Sequence, residues 1–175
     1  MRYVAFLRGI NVSGQKLIKM EALKLHFEMP GFKNIVTYIQ SGNVLFDTKE
    51  QDSEKLRRKI EKQLSLKLGY EVPTILRTLD EIKTTITNNP FTLLKEGETR
   101  KLYVTFLSDA PPVTLHGALD TYKNETEELK VVERELFILT TGIGNSKLTL
   151  NLIEKKLGVA ATTRNWATVN KVMEL

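Results

Sequence analysis

Cysteine is absent from the 175 residues, and only two histidines, His26 and His116, are present. The first absence removes disulfides, thiolate zinc sites, CxxC redox chemistry and a cysteine nucleophile in one step. It also fits a reducing compartment, so a cytoplasmic location is expected. With no HxxxH spacing, the two histidines offer no metal framework, and neither a metal nor a cofactor is expected. Aromatic residues make up only 7% of the chain, and the RNP aromatic pattern of an RNA-binding sheet is missing. Long apolar runs are also missing: residues 3–7, flanked by Arg2 and Arg8, are too few for a signal-peptide core or a membrane span. Neither a GxSxG elbow nor a GxxxxGK[ST] loop occurs, so no catalytic residue is assigned.

What is present suits a globular protein, because 41% of the residues are apolar. Tyr3-Val4-Ala5-Phe6-Leu7 is apolar on both faces and reads as a central strand. Met20, Leu23 and Phe27 form a helical stripe that Pro30-Gly31 must end. Strands over 34–39 and 43–46 join across Ser41-Gly42, and Asp52 or Ser53 caps a helix that Gly69 closes. A strand over 71–77 completes βαββαβ, the ferredoxin-like order.

The order then starts again. A short helix over 80–87 and a polar stretch, 88–100, lead to a strand over 102–107, then a helical segment opened by Pro111-Pro112. Strands over 129–132 and 136–140, a helix from Ser146 to Leu157 and a last helix carrying Trp166, Val169 and Met173 follow. The expected fold is therefore α+β: two ferredoxin-like lobes, 1–78 and 79–175, with mostly antiparallel sheets, a single larger sheet being the alternative. Strands apolar on both faces must bury the second face against the other lobe or a second chain, so a monomer or a homodimer is expected. The net charge of +5 is uneven: residues 1–78 hold 14 basic and 8 acidic residues, and the remainder is nearly balanced. That excess points to an anionic partner, against the plainer reading of a solvated helix face bearing Lys55, Arg57, Arg58, Lys59 and Lys62.

Three segments carry more directed polar groups than folding requires. Arg8-Gly9-Ile10-Asn11-Val12-Ser13-Gly14-Gln15-Lys16 follows the first strand and reads in two ways: as an anion loop, whose glycines permit close backbone approach while Arg8 and Lys16 flank the anion, or as a flexible strand-to-helix connection. Tyr38-Ile39-Gln40-Ser41-Gly42-Asn43-Val44 is explained by hairpin chemistry. Thr140-Thr141-Gly142-Ile143-Gly144-Asn145-Ser146-Lys147 runs into a helix, where Ser146 either caps the N-terminus or joins Lys147 and the backbone amides in holding phosphate. Thr162-Thr163-Arg164-Asn165-Trp166 opens the last helix, capped by Thr163 or Asn165, and Arg164 either pairs with an acid or joins a ligand site.

Tyr3 to Val12, Thr37 to Val44, Ser146 to Thr149 and Ala161 to Trp166 make the chain similar to an uncharacterised bacterial family, the domain of unknown function numbered 1697. The resemblance implies a compact α+β protein with ferredoxin-like parts and supplies no catalytic residues. The family's Gly-Gly is interrupted here by Ser13, and Ala167 stands where Asn is common after Arg-Asn-Trp. The functional expectation is non-catalytic binding of a phosphate-bearing anion, a nucleotide or nucleic acid, through Arg8, Asn11, Lys16, Ser146, Lys147 and Arg164, with no membrane partner. Two alternatives remain open: an enzyme acting on a phosphorylated small molecule, with Arg8 and Lys147 as clamps, and a structural adaptor.

Overall fold

The computed structural model describes residues 1–12, 14–91, 99–142 and 146–175. Ser13, most of the polar stretch before residue 100 and the Ile143-Gly144-Asn145 part of the third segment lie outside the described residues. The fold is α+β with two lobes, each built on a four-stranded antiparallel sheet. By backbone contacts the chain divides into Met1–Lys83 with Val172–Leu175, and Thr84–Lys171.

In the first unit β1 (Arg2–Leu7), α1 (Met20–Phe27), β2 (Lys33–Tyr38), β3 (Asn43–Asp47), α2 (Ser53–Leu68) and β4 (Thr74–Thr78) follow in order, and the division between the units falls within the next element, α3 (Leu79–Thr87). The sheet order is β2-β3-β1-β4, so β1 is central and the two βαβ units interleave. Tyr3, Ala5 and Leu7 alternate toward the helices and pack with Leu23, Phe27 and Ile60. Val4 and Phe6, on the other face, are equally buried, as a strand apolar on both sides requires. Asp52 caps α2 by accepting from the Lys55 N–H at 2.9 Å, and Gly69 closes it in the left-handed conformation at φ 76°. Glu61 ties the helix to the sheet, accepting from the Thr74 N–H at 2.9 Å and from Arg57 at 2.6 Å.

The second unit contains β5 (Lys101–Leu107), a 3₁₀ helix (Val113–Tyr122), β6 (Glu127–Val132), β7 (Glu135–Thr140), α4 (Leu150–Leu157), β8 (Ala161–Asn165) and α5 (Trp166–Lys171). Its sheet order, β6-β7-β5-β8, repeats that of the first unit. The register repeats as well: Val4 lies opposite Arg77 and Val104 opposite Arg164, with Tyr, Phe and Leu in matching places on β1 and β5.

Two sequence-derived boundaries are corrected. Thr162 to Asn165, read with Trp166 as the opening of the last helix, belong to strand Ala161–Asn165, because Thr162 and Thr163 are β-branched and the Thr163 hydroxyl lies 2.7 Å from that of Thr105 on β5. The helix begins one step later, with the Asn165 Oδ1 accepting from the Thr168 N–H at 2.7 Å. Likewise α4 starts at Leu150 rather than Ser146, since Thr149 supplies the capping hydroxyl to the Leu152 N–H at 3.3 Å.

Candidate functional site

The first two polar segments meet at one end of the β1–β3 pair. Asn11 laces them together: its Nδ2 donates to the Gln40 carbonyl at 2.9 Å and to Ile18 at 3.0 Å, while its Oδ1 accepts from the Ile18 N–H at 2.8 Å. Its amide is therefore committed within the loops, and its φ of 52° shows backbone held in a conformation an untied residue avoids. Lys16, also at positive φ, lays its Nζ 4.9 Å from the centroid of the Tyr70 ring and 3.4 Å from the Glu71 carbonyl. Half-buried Arg8 anchors the strand end, its N–H donating to the Pro73 carbonyl at 2.9 Å. Asn11→Ala is expected to cost about 1–3 kcal/mol in denaturant unfolding, since it takes the partner from the part-buried Ile18 N–H and carbonyl and puts alanine at a positive φ. A ligand-contact role alone would leave the unfolding midpoint unchanged.

Ser146 and Lys147 line a cleft of about 270 Å³ in the second unit, together with Thr121, Asn124, Glu127 and Thr140. The Ser146 hydroxyl donates to Glu127 Oε1 at 2.6 Å and accepts from the Leu148 N–H at 2.9 Å. It is held by a carboxylate, not by a helix terminus, and the cleft is close to neutral, since Lys123 pairs with Asp120. Arg164 sits on β8 with 6% of its surface exposed, its Nη1 donating to the Thr162 hydroxyl at 2.9 Å and the Thr163 carbonyl at 2.8 Å. Burial brings its guanidinium down to about 10.

A third place escaped the sequence reading. At the opposite end of β1, roughly 17 Å from the laced loops by strand rise, a cleft of about 660 Å³ opens in the first unit. Phe32, Leu56 and Pro30 supply apolar lining, and Lys33, Lys49, Lys55 and Lys59 bring four positive charges to it. Its two carboxylates are already engaged. Asp47 accepts from Arg2 at 3.0 Å and Asn34 at 2.6 Å, holding its carboxyl below the usual range, with the Asn34 bond the largest cause. Glu50 pairs with Lys55 and accepts from the N–H groups of Gln51 and Asp52 at 3.1 and 3.2 Å. Lys59 Nζ donates to the Pro30 carbonyl at 2.7 Å and lies 5.0 Å from the centre of the Phe32 ring. Lys33 and Lys49 are exposed cations with no partner among the described residues. The signal for this cleft was the basic excess of residues 1–78; its lysines come from three separated stretches, so no motif gathers them.

Among the described residues no cluster of His, Cys, Asp and Glu could hold a metal ion, and no helix is long and apolar enough to cross a membrane. A family model described as "Protein of unknown function (DUF1697)" matches residues 1–137, in agreement with the resemblance read from the polar segments. No curated protein matches the chain. A solved structure, that of the conserved bacterial protein SP0830 from Streptococcus pneumoniae, is similar to it with a TM-score of 0.76 and 20% identity, over 99% of this chain and 97% of that one. At that identity the likeness is one of fold.

Proposed function

The chain belongs to the DUF1697 family, and we propose that it binds a phosphate-bearing anion without catalysis, in the lysine-rimmed cleft of its N-terminal lobe. The observation that carries this reading is the cleft's imbalance: four lysines against two carboxylates, with both carboxylates already paired. An anion entering there meets the unneutralised charge of Lys33 and Lys49 over a partly desolvating floor, where Coulomb attraction exceeds its value in open water. The other reading of the charge excess, a solvated helix face, applies to Arg57 and Arg58, which share the carboxylate of Glu54 on α2.

Isothermal titration with pyrophosphate tests the proposal. Binding is expected to weaken as salt rises, because exposed charges are screened over about 8 Å at physiological ionic strength. Lys33→Glu combined with Lys49→Glu is expected to weaken it about tenfold or more, which corresponds to about 1.4 kcal/mol. Both lysine side chains are exposed and make no hydrogen bond or ion pair among the described residues, so the double variant is expected to stay folded. At most a small loss follows from placing a carboxylate at position 33 opposite Asp47 across the β2–β3 pair, and the unfolding midpoint is measured alongside. Equal affinity in the variant and the parent chain would overturn the proposal.

A further inference from the structure

We infer that the anion this cleft takes is an amphiphile, an alkyl or acyl chain ending in phosphate, rather than a ligand recognised by a nucleobase. The inference rests on the binding reading above and adds the nature of the ligand's buried half. Every side-chain acceptor lining the cleft already has a donor: Asp47 has Arg2 and Asn34, Glu50 has Lys55 and two backbone N–H groups, and the Thr48 Oγ1 accepts from the Glu50 N–H at 3.2 Å. Among the described residues no asparagine or glutamine lines it. A nucleobase carries N–H donors that must compete with donors already in place on these carboxylates, whereas a hydrocarbon chain asks for no such partner.

The ring of Phe32 is not an open stacking platform either. One face packs on Phe46, with ring centroids 4.4 Å apart and planes at 12°, and Lys59 lies over the ring as well. What the floor does offer is hydrocarbon: Phe32, Leu56 and Pro30, with exposed Met1 beside them. A group with neither donors nor acceptors fits that lining, and a volume of about 660 Å³ is in the range of sites that hold small organic ligands. The groups left without a partner at the rim are the ammonium donors of Lys33 and Lys49, and an acceptor-only head such as phosphate complements them.

The test varies the ligand instead of the protein. Butyl, hexyl and octyl phosphate, each below its aggregation concentration, are titrated into the full chain alongside pyrophosphate and adenosine monophosphate. Affinity is expected to rise about two- to fourfold per methylene, the increment expected for burying hydrocarbon, with a negative heat-capacity change. The gain is expected to persist in Lys33→Glu/Lys49→Glu from a weaker starting affinity, because chain and head contact different parts of the cleft. If pyrophosphate binds and responds to the lysines while octyl phosphate gains nothing over butyl phosphate, the inference falls and the anion-binding reading stands. Tighter lysine-dependent binding of adenosine monophosphate than of octyl phosphate also overturns it. If neither pyrophosphate nor any alkyl phosphate binds, both fall together.

Discussion

Gly42→Ala is expected to lower stability by about 2–4 kcal/mol, the sum of two separable penalties. The first is conformational: Gly42 sits at φ +75°, a region an L-side chain enters only with strain. The second is steric. A Cβ built there would lie 2.5 Å from Ile10 Cδ1, 2.9 Å from Ile10 Cγ1 and 3.0 Å from the Leu7 Cβ. The tip of Ile10 can rotate away, but the Leu7 Cβ is fixed to the central strand. The Leu7 N–H also donates to the Gly42 carbonyl at 2.8 Å, so the backbone cannot retreat without losing that bond. Gly9 provides the control, with φ +71° and nothing within 4 Å of its hypothetical Cβ. Gly9→Ala therefore carries only the conformational penalty, about 1 kcal/mol. Denaturant midpoints for the two variants measure the difference, and equal losses would refute the close-packing account of the hairpin.

The same glycine illustrates what the sequence could reveal. Ser41-Gly42-Asn43 announced a hairpin through turn chemistry alone, and the buried Asn43 side chain does fasten it, donating to the Tyr38 carbonyl at 3.0 Å and to the Ser41 hydroxyl at 3.1 Å. Strands with apolar runs and helices with caps were legible for the same reason: their signals are local. β8 was not, because Thr-Thr-Arg-Asn reads equally well as a helix opening until the pairing with β5 is known. The echo between the halves was visible as topology, but the matching Tyr-Val and Phe-Leu pairs of β1 and β5 gain meaning only when register puts Arg77 and Arg164 in equivalent places. Of the polar segments, the first two carry loop architecture, with Asn11 tied down on every side. The lysine cleft was invisible to motif reading, since its floor and rim are assembled from the start of β2, the end of β3 and the first turns of α2. Only the charge excess of the N-terminal half hinted at it.

Phe46 links that cleft to the core, and its replacement is expected to have the largest effect on stability. The side chain is fully buried and touches three rings: Tyr3 at 5.8 Å, Phe27 at 5.9 Å and Phe32 at 4.4 Å between centroids. Phe46→Ala leaves a cavity among them and is expected to cost about 3–5 kcal/mol, read from the denaturation midpoint. Phe46→Leu refills much of that volume and is expected to cost far less, yet it removes the flat surface on which Phe32 lies. Phe32 then loses its fixed orientation at the floor of the cleft, while Lys33 and Lys49 keep their positions on the rim. The two halves of the ligand should respond differently. Octyl phosphate is expected to lose several-fold in affinity to the leucine variant, and pyrophosphate to bind as before. Equal losses for both ligands would mean that Phe46 acts only through global stability and that the floor plays no part in recognition.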